Sequence, residues 1–431
     1  MGERRYSSLR QYYEETVREA MEECTLCGEC VRNCQTFPLI FPGGKGQGDI
    51  MAKLLDFLKG GTESEEVYRK VFGCDGCGNC SSFCPQGIDV LLLHEAAKIK
   101  LADRQAFPAA VNFVLPGRRP NLYDILSSLQ VRPEEKRWLT RPPAGVKAVQ
   151  DVVFLGCSLP SFPHVAAGFL EIMEELEEDF VALAGDELCC GTSLCPAAGK
   201  VDEAEQKARE LVESITKLSA RRVILLCTGC YRQFTEFYPK FLDLDFDVVY
   251  YTQFLFEKLG MLEFRRPLER TVVLHESCMT RRTGLFEPTK GLLGAIPGLK
   301  LVEMKNPEAE TQTLCCGGLA NMTFPDIGQR RGSTLVEQTM RVMAEFVLST
   351  CPFCQLAFYP HARTGAFAIQ NIPGLILEAM GRATYEDRLG RYWRCESVEK
   401  IIAESREFFE ANGRTEEEMR QILPMVFPVL G

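Results

Sequence analysis

The chain has 431 residues, 46% hydrophobic and 25% charged, enough apolar content to bury two or three cores and too much for intrinsic disorder. Asp and Glu number 59 against 49 Lys and Arg, a formal charge of -10, so no basic surplus exists to neutralise phosphates and nucleic acid is excluded as an expected partner. Twenty cysteines against four histidines, in a chain too long to need disulfides for stability, turn the reading towards metal or redox chemistry.

The opening stretch MGERRYSSLRQYYEETVREA has an Arg pair without an apolar run behind it, so no leader is read there and a cytoplasmic chain is expected. No segment reaches the roughly 18 uncharged apolar residues of a membrane helix, so a place at the membrane is expected only through a partner subunit. Residues 1–107 form the first predicted unit, with helical patterns at YYEETVREAMEE and DIMAKLLDFLKGG. Two cysteine runs follow these patterns: Cys24, Cys27, Cys30 and Cys34, then Cys74, Cys77, Cys80 and Cys84, each spaced C-x2-C-x2-C-x3-C. Such spacing folds a short loop around one face of an iron-sulfur cube while the fourth thiolate reaches the neighbouring cluster. Cys24, Cys27, Cys30 and Cys84 are therefore assigned to one cubane [4Fe-4S] cluster, and Cys74, Cys77, Cys80 and Cys34 to another. Pro85 follows the second run as in bacterial ferredoxins, whereas the first continues CQTF. Zinc sites pair C-x2-C units across a longer gap and fit less well. The predicted class of this unit is an alpha-helical ferredoxin. FPGGKGQGD lacks the full phosphate-loop pattern and a preceding strand, and reads as a turn.

Residues 108–150, with LPGRRPN and TRPPAG, read as a linker or wrapping segment containing a short helix. Beyond it, DVVFLGC, FVALAG and RRVILLC alternate with helices through AAGFLEIMEELEE and VDEAEQKARELVESI, the order of parallel strands with crossover helices. TVVLHESC, LKLVEMK and EFVLSTC repeat that order with helices near EPTKGLLGAI and through STLVEQTMRVMAE. Cys157, Cys189, Cys190, Cys227 and Cys230 are matched by Cys278, Cys315, Cys316, Cys351 and Cys354, and both sets contain Cys-Cys-Gly. The chain is therefore read as α+β and multi-domain. Two homologous α/β half-domains with parallel sheets, at 151–268 and 269–431, follow the helical unit.

Cys157, Cys227, Cys278 and Cys351 stand at predicted strand ends, where open parallel sheets bind ligands. Gly191, Gly317 and Gly318 permit close backbone approach beside the paired cysteines. Five thiolates per set exceed the four that one zinc or a simple cube takes, which points to unusual iron ligation. No Gly-x-Gly-x-x-Gly follows a strand, so no flavin or nicotinamide site is expected and electrons must enter from another subunit.

A pair of ferredoxin motifs followed by two copies of C-xn-CCG-xm-C-x2-C resembles the D subunit of heterodisulfide reductase over essentially the whole chain. The resemblance implies a non-cubane [4Fe-4S] cluster on each quintet, making those ten cysteines the expected catalytic residues, with a small-molecule or protein disulfide reduced or formed between them. It also implies redox partners: a flavoprotein, a hydrogenase, or a membrane cytochrome or quinone subunit. The broader family includes iron-sulfur subunits of glycolate, lactate and glycerol-3-phosphate dehydrogenases, which share the H-x-x-C approach seen at His275 and Cys278. Those subunits commonly lose the first cysteine of the C-x2-C in their first half, whereas Cys227-Thr228-Gly229-Cys230 is intact here.

Arg281 and Arg282, after Cys278, are candidates to clamp an anionic substrate, set against an ordinary solvated pair. His275 is a candidate donor to a cluster sulfur or to substrate, set against a strand-end histidine bonded to backbone. Cys195 and Cys395 read as buried bystanders, and His94, His164 and His361 carry no motif. The apolar, proline-broken ILPMVFPVLG is expected to pack on its own domain or on a partner.

Overall fold

The computed structural model describes residues 5–44, 49–145, 148–304, 315–363, 365 and 367–428. Lys45 to Gly48, the core of the excluded phosphate-loop stretch, lie outside them. The helix Leu9–Glu23 begins at Ser8, whose hydroxyl accepts from the Gln11 N–H, satisfying one of the free donors of a helix start. Leu9, Tyr13, Val17 and Ala20, spaced along one face, are its buried residues. Ile50–Leu58 and Glu65–Phe72 pack around Val90–Asp103, a helix buried on nearly every side, including at His94, Glu95 and Lys98.

Residues 108–145 wrap rather than merely link. The helix Leu122–Ser128 is capped by Asn121 and buries Tyr123, Ile125 and Leu126. Leu139 then donates to the Ala182 carbonyl and accepts from the Ala184 N–H, both at 2.9 Å, adding one parallel bridge to the edge of the first sheet.

The first sheet comprises β1 (Asp151–Gly156), β2 (Phe180–Ala184), β3 (Arg222–Leu225) and β4 (Asp247–Tyr250) in the order β2-β1-β3-β4, all parallel. The second comprises β5 (Arg270–His275), β6 (Leu299–Val302), β7 (Phe346–Ser349) and β8 (Ala368–Gln370), parallel in the order β6-β5-β7-β8. The identical order is the structural counterpart of the cysteine repeat. Each sheet reverses direction beside its first strand, between β1 and β3 and between β5 and β7, and a crevice opens at such a reversal beyond the strand ends.

The crossover helices Pro163–Glu175 and Val201–Thr216 lie where the apolar periodicity places them. The helix expected from Ser333 starts at Pro325, because Pro at its first position and the polar GQRRG turn extend it upstream. The C-terminal helices Arg388–Trp393, Val398–Ala411 and Glu416–Val426 clasp the wrapping segment: Tyr392 donates to the Leu129 carbonyl at 2.8 Å and Asn412 to that of Val131 at 2.9 Å. Leu423, Val426 and Phe427 are buried there, with Phe427 against Trp393, so the described part of the apolar C-terminus packs on its own domain.

Candidate metal centre

Both ferredoxin runs read C-x-x-C-G-x-C, and in each the glycine, Gly28 or Gly78, opens a short helix with left-handed φ of 79° or 76°, a conformation that only glycine takes without strain. The chain thereby turns back on itself and points three thiols inward. Cys24, Cys27 and Cys30 line one pocket together with Cys84 from the second run. Burial and these three thiols push Cys30 up to about 11. Cys34 goes the other way: it lies in the field of Cys74, Cys77 and Cys80, all of which burial raises first. The structure thus brings together the two crossed quartets that the spacing suggests.

Lys70, only 2% exposed, lies between them. Its Nζ is 4.0 Å from Cys34 Sγ, and although burial opposes its charge, Cys34, Cys74, Cys80 and Cys30 hold the ammonium pKa above its ordinary value. A buried cation among thiols suits an anionic metal-thiolate group.

In the first half, Cys157 follows the last residue of β1, and Cys227 lies just past β3 at the start of the helix Thr228–Arg232. The five thiols form a chain of neighbours in the order Cys157, Cys189, Cys190, Cys230, Cys227. Cys189 is held well below the usual thiol range by hydrogen bonds from Cys157 and Cys190, with the Gly191 N–H adding at 3.3 Å. Cys227 is lowered to about 7 by Cys230 and by backbone N–H groups of its helix start. Cys157, Cys190 and Cys230, donors in these bonds, are raised.

The second quintet is again a set of neighbouring thiols, with the roles of the paired cysteines exchanged: Cys315 is raised, as Cys190 is in the first. Cys316 is lowered well below its ordinary value by Cys315 and Cys354, with His275 and the Gly318 N–H contributing, and the Gly317 N–H is 3.4 Å from Cys315 Sγ. Cys351 extends the chain through Cys354. Cys278 opens the helix Cys278–Arg282 and is raised by burial, with Cys316 and Cys351 next in effect. Every cysteine of the chain is a free thiol. Chains of thiols set among N–H donors fit a polynuclear group with several sulfur ligands.

Two contacts join these sites. Tyr250, at the end of β4 and fully buried, donates to the Thr350 carbonyl at 2.5 Å and lies 3.4 Å from that of Leu226. It therefore pins the residue before Cys351 against the residue before Cys227, so that both C-x2-C loops meet at one interface. On the other side, the ferredoxin loop rests on the second quintet. Asp75 accepts from Thr36 at 2.8 Å and from the Ala320 N–H at 3.3 Å, a Cβ on Gly76 would come within 3.2 Å of Leu319, and Cys278 contributes to the field at Cys77.

His275 ends β5 with Nε2 buried and, among the described residues, unpartnered, its ring edge-on to Phe358 and beside Cys316; burial lowers its pKa and so favours the neutral ring. The two arginines offered by the sequence as an anion clamp are instead engaged by protein carboxylates: Arg281 by Glu276 at 2.7 Å, and Arg282 by Glu236 at 2.8 Å and Asp89 at 2.5 Å. Cys195 faces Tyr13, Glu95 and Lys98 rather than the quintet, and the Cys395 thiol donates to the Arg391 carbonyl.

Sequence reasoning missed Tyr123. It is 5% exposed, its hydroxyl has no partner among the described residues, and it lies in the field of Cys157, Cys227, Cys189 and Cys190 while its ring packs edge-on to Phe353 of the second quintet's loop. Asp75 and Tyr250 were missed too. Tyr123 and Tyr250 stand in no motif, and Asp75 fills a position that the C-x-x-C-G-x-C spacing leaves unspecified.

The cysteine-rich CCG domain family matches residues 152–235 and 272–359, and the 4Fe-4S dicluster domain family matches residues 20–88. The D subunit of the dihydromethanophenazine:CoB--CoM heterodisulfide reductase of Methanosarcina acetivorans is 30% identical over 78% of this chain and 87% of its own. That of Methanosarcina barkeri is 28% identical over 84% of this chain and 95% of its own. A probable glycolate oxidase iron-sulfur subunit of Bacillus subtilis is 23% identical over 89% of this chain and 99% of its own. With its dicluster module, its paired cysteine-rich halves and this extent of identity, the chain belongs to the family of heterodisulfide reductase D subunits.

Proposed function

We propose that the chain is the disulfide-converting iron-sulfur subunit of a heterodisulfide-reductase-like complex. Cys24, Cys27, Cys30 and Cys84, and Cys34, Cys74, Cys77 and Cys80, would each hold a cubane [4Fe-4S] cluster, and each quintet a non-cubane one. Such clusters supply electrons singly, whereas the overall conversion RSSR + 2e⁻ + 2H⁺ → 2RSH needs a pair. The electrons would come from a redox partner subunit such as a flavoprotein, a hydrogenase or a membrane cytochrome, the last placing a cytoplasmic chain peripherally at the membrane. Among the described residues no helix is long and apolar enough to cross a membrane.

The observation that carries this reading is that Tyr250 ties together the Leu226 and Thr350 carbonyls, one residue before Cys227 and Cys351. A relay needs cofactors in series, but it has no need of two complete cysteine quintets tied together at their C-x2-C loops. The protein's residues do the rest: Asp75 and Ala320 dock the ferredoxin loop on the second quintet, while Lys70 balances negative charge between the quartets. The test is anaerobic reduction of the iron-loaded protein, followed by titration with a small disulfide. Stoichiometric release of two thiols per disulfide, with reoxidation followed by absorbance and EPR, is expected. Reoxidation only by an acceptor such as a quinone, with every disulfide inert, would leave the dehydrogenase-type electron relay.

A further inference from the structure

The flank of the second quintet opens on a cavity of about 580 Å³, within the range of small-molecule sites. Of the five thiols only Cys316 lines it, so it is an annex to the cysteine set and not its interior. Its walls are largely apolar: Phe113 and Leu122 from the wrapping segment, Phe353 and Leu356 from the helix Pro352–Ala362, and Trp393 from the C-terminal region. The Trp393 indole N–H is buried and has no acceptor among the described residues. His361 also lines the cavity, and partial burial lowers its pKa, leaving it uncharged at neutral pH. Among the described residues lining the cavity there is no Lys, Arg, Asp or Glu. Arg331, next in sequence to the lining residue Gly332, is buried outside the lining and donates to Gln35.

Sulfonate, phosphate or carboxylate groups entering such a space would lose their hydration without gaining a cation, whereas each buried methylene would strengthen binding about threefold to fourfold. We propose that this cavity receives an uncharged, apolar arm of the disulfide, with the sulfur-sulfur bond beside Cys316, so that the substrate class is disulfides with at least one apolar arm. The proposal rests on the disulfide-converting role argued above. The step remains two electrons and two protons per disulfide, drawn from the redox partner and solvent, and yields two thiols.

The test compares diethyl, di-n-propyl and di-n-butyl disulfide with the dianionic bis(2-sulfonatoethyl) disulfide as oxidants of the reduced, iron-loaded protein. In parallel, equilibrium dialysis measures di-n-butyl disulfide binding to the oxidised protein. KM is expected to fall about threefold to fourfold per methylene added to the cavity arm, with the dianion at least about tenfold weaker than the butyl compound. Ala357→Phe should cut binding by about tenfold through filled space. Met322→Arg, at a partly exposed lining position, should reverse the preference towards the dianion. Both variants should retain wild-type iron content and ferredoxin EPR signals. Disulfide-dependent reoxidation that ignores chain length, charge and both substitutions would overturn the cavity assignment while leaving the function standing. If no disulfide reoxidises the protein, the functional reading fails instead. Dialysis still decides the cavity in that case: saturable binding lost in Ala357→Phe sustains an apolar site, and no saturable binding overturns it.

Discussion

The Tyr123 hydroxyl is a hydrogen-bond donor without an acceptor among the described residues, buried within the field of four first-quintet thiols. A buried donor left unmet costs about 1–3 kcal/mol, so its persistence here suits a sulfur acceptor. Hydrogen bonds to cluster sulfur favour the reduced state. Tyr123→Phe should therefore lower the midpoint potential of the first-quintet cluster by on the order of 50 mV, with the ferredoxin potentials unmoved in the same EPR-monitored titration. Lys70 makes the complementary case. Removing a buried positive charge beside Cys34, Cys74, Cys80 and Cys30 destabilises added electrons, so Lys70→Met should shift both ferredoxin potentials negative by on the order of 50 mV or more and leave the quintet signals in place. The thiols were legible in the sequence because cluster-binding loops repeat a fixed spacing. Tyr123 and Lys70 were not, because each reaches its site from a neighbouring element through tertiary packing, which leaves no periodic trace.

At the level of elements, the two C-x-x-C-G-x-C loops differ between their cysteines at three positions, Thr25/Asp75, Leu26/Gly76 and Glu29/Asn79, and the second of these bears on the backbone. Gly76 takes φ of 67° where the first loop has Leu26 at 54°, a conformation that costs a side-chain-bearing residue roughly 1–2 kcal/mol. Leu26 is 52% exposed and meets no such neighbour as Gly76 has in Leu319. Gly76→Ala should thus both strain the loop, by about 1–2 kcal/mol, and push it off Leu319, read as a lower anaerobic melting temperature and faster cluster loss to a chelator. Leu26→Gly should change stability by less than about 1 kcal/mol, because relief of strain is offset by a more flexible unfolded chain. The same scale shows what could be read of the fold. β1, β3, β5 and β7 announce themselves as continuous apolar runs ending in cysteine, since a central parallel strand is buried on both faces. β4 and β8 are short edge strands whose outer residues are half-exposed, so neither carries enough apolar residues in a row to stand out from its surroundings. The wrapping segment was legible as proline-rich and irregular, but its buried Tyr123, Ile125 and Leu126 become core only because the C-terminal helices close over them.

Across the whole molecule, one network of charges joins all three cysteine-bearing units. Glu95 of the ferredoxin module holds Arg232 of the first half at 2.6 Å; Arg232 and Arg282 share Glu236, and Arg282 returns to Asp89 at 2.5 Å. Arg232 and Glu95 are 6% and 3% exposed in their side chains, and removing one member of so buried a pair strands the other, at a cost of about 3–5 kcal/mol. Arg232→Met is therefore expected to destabilise the whole protein, whereas Arg282, 23% exposed, can be removed with the fold intact. Burial alone would raise the Asp89 carboxyl, but the Arg282 pair holds it below its ordinary value of 3.8. A depressed carboxyl contributes stability that is fully present above its unfolded pKa and is lost as pH falls through the folded one. The docking of the ferredoxin module should accordingly be constant from neutral pH down to about pH 5 in the wild type. In Arg282→Met the burial of Asp89 is offset only by the Ser81 hydrogen bond and the field of Arg232, its pKa rises, and the module should loosen progressively at neutral pH, where the weakly compensated charge is largest, and tighten as acid neutralises it. Hydrogen exchange across residues 79–103 at pH 5 and pH 7.5 checks this inversion. Protection independent of pH in both proteins would mean that the apolar contacts of Val90–Asp103 hold the module without the charges.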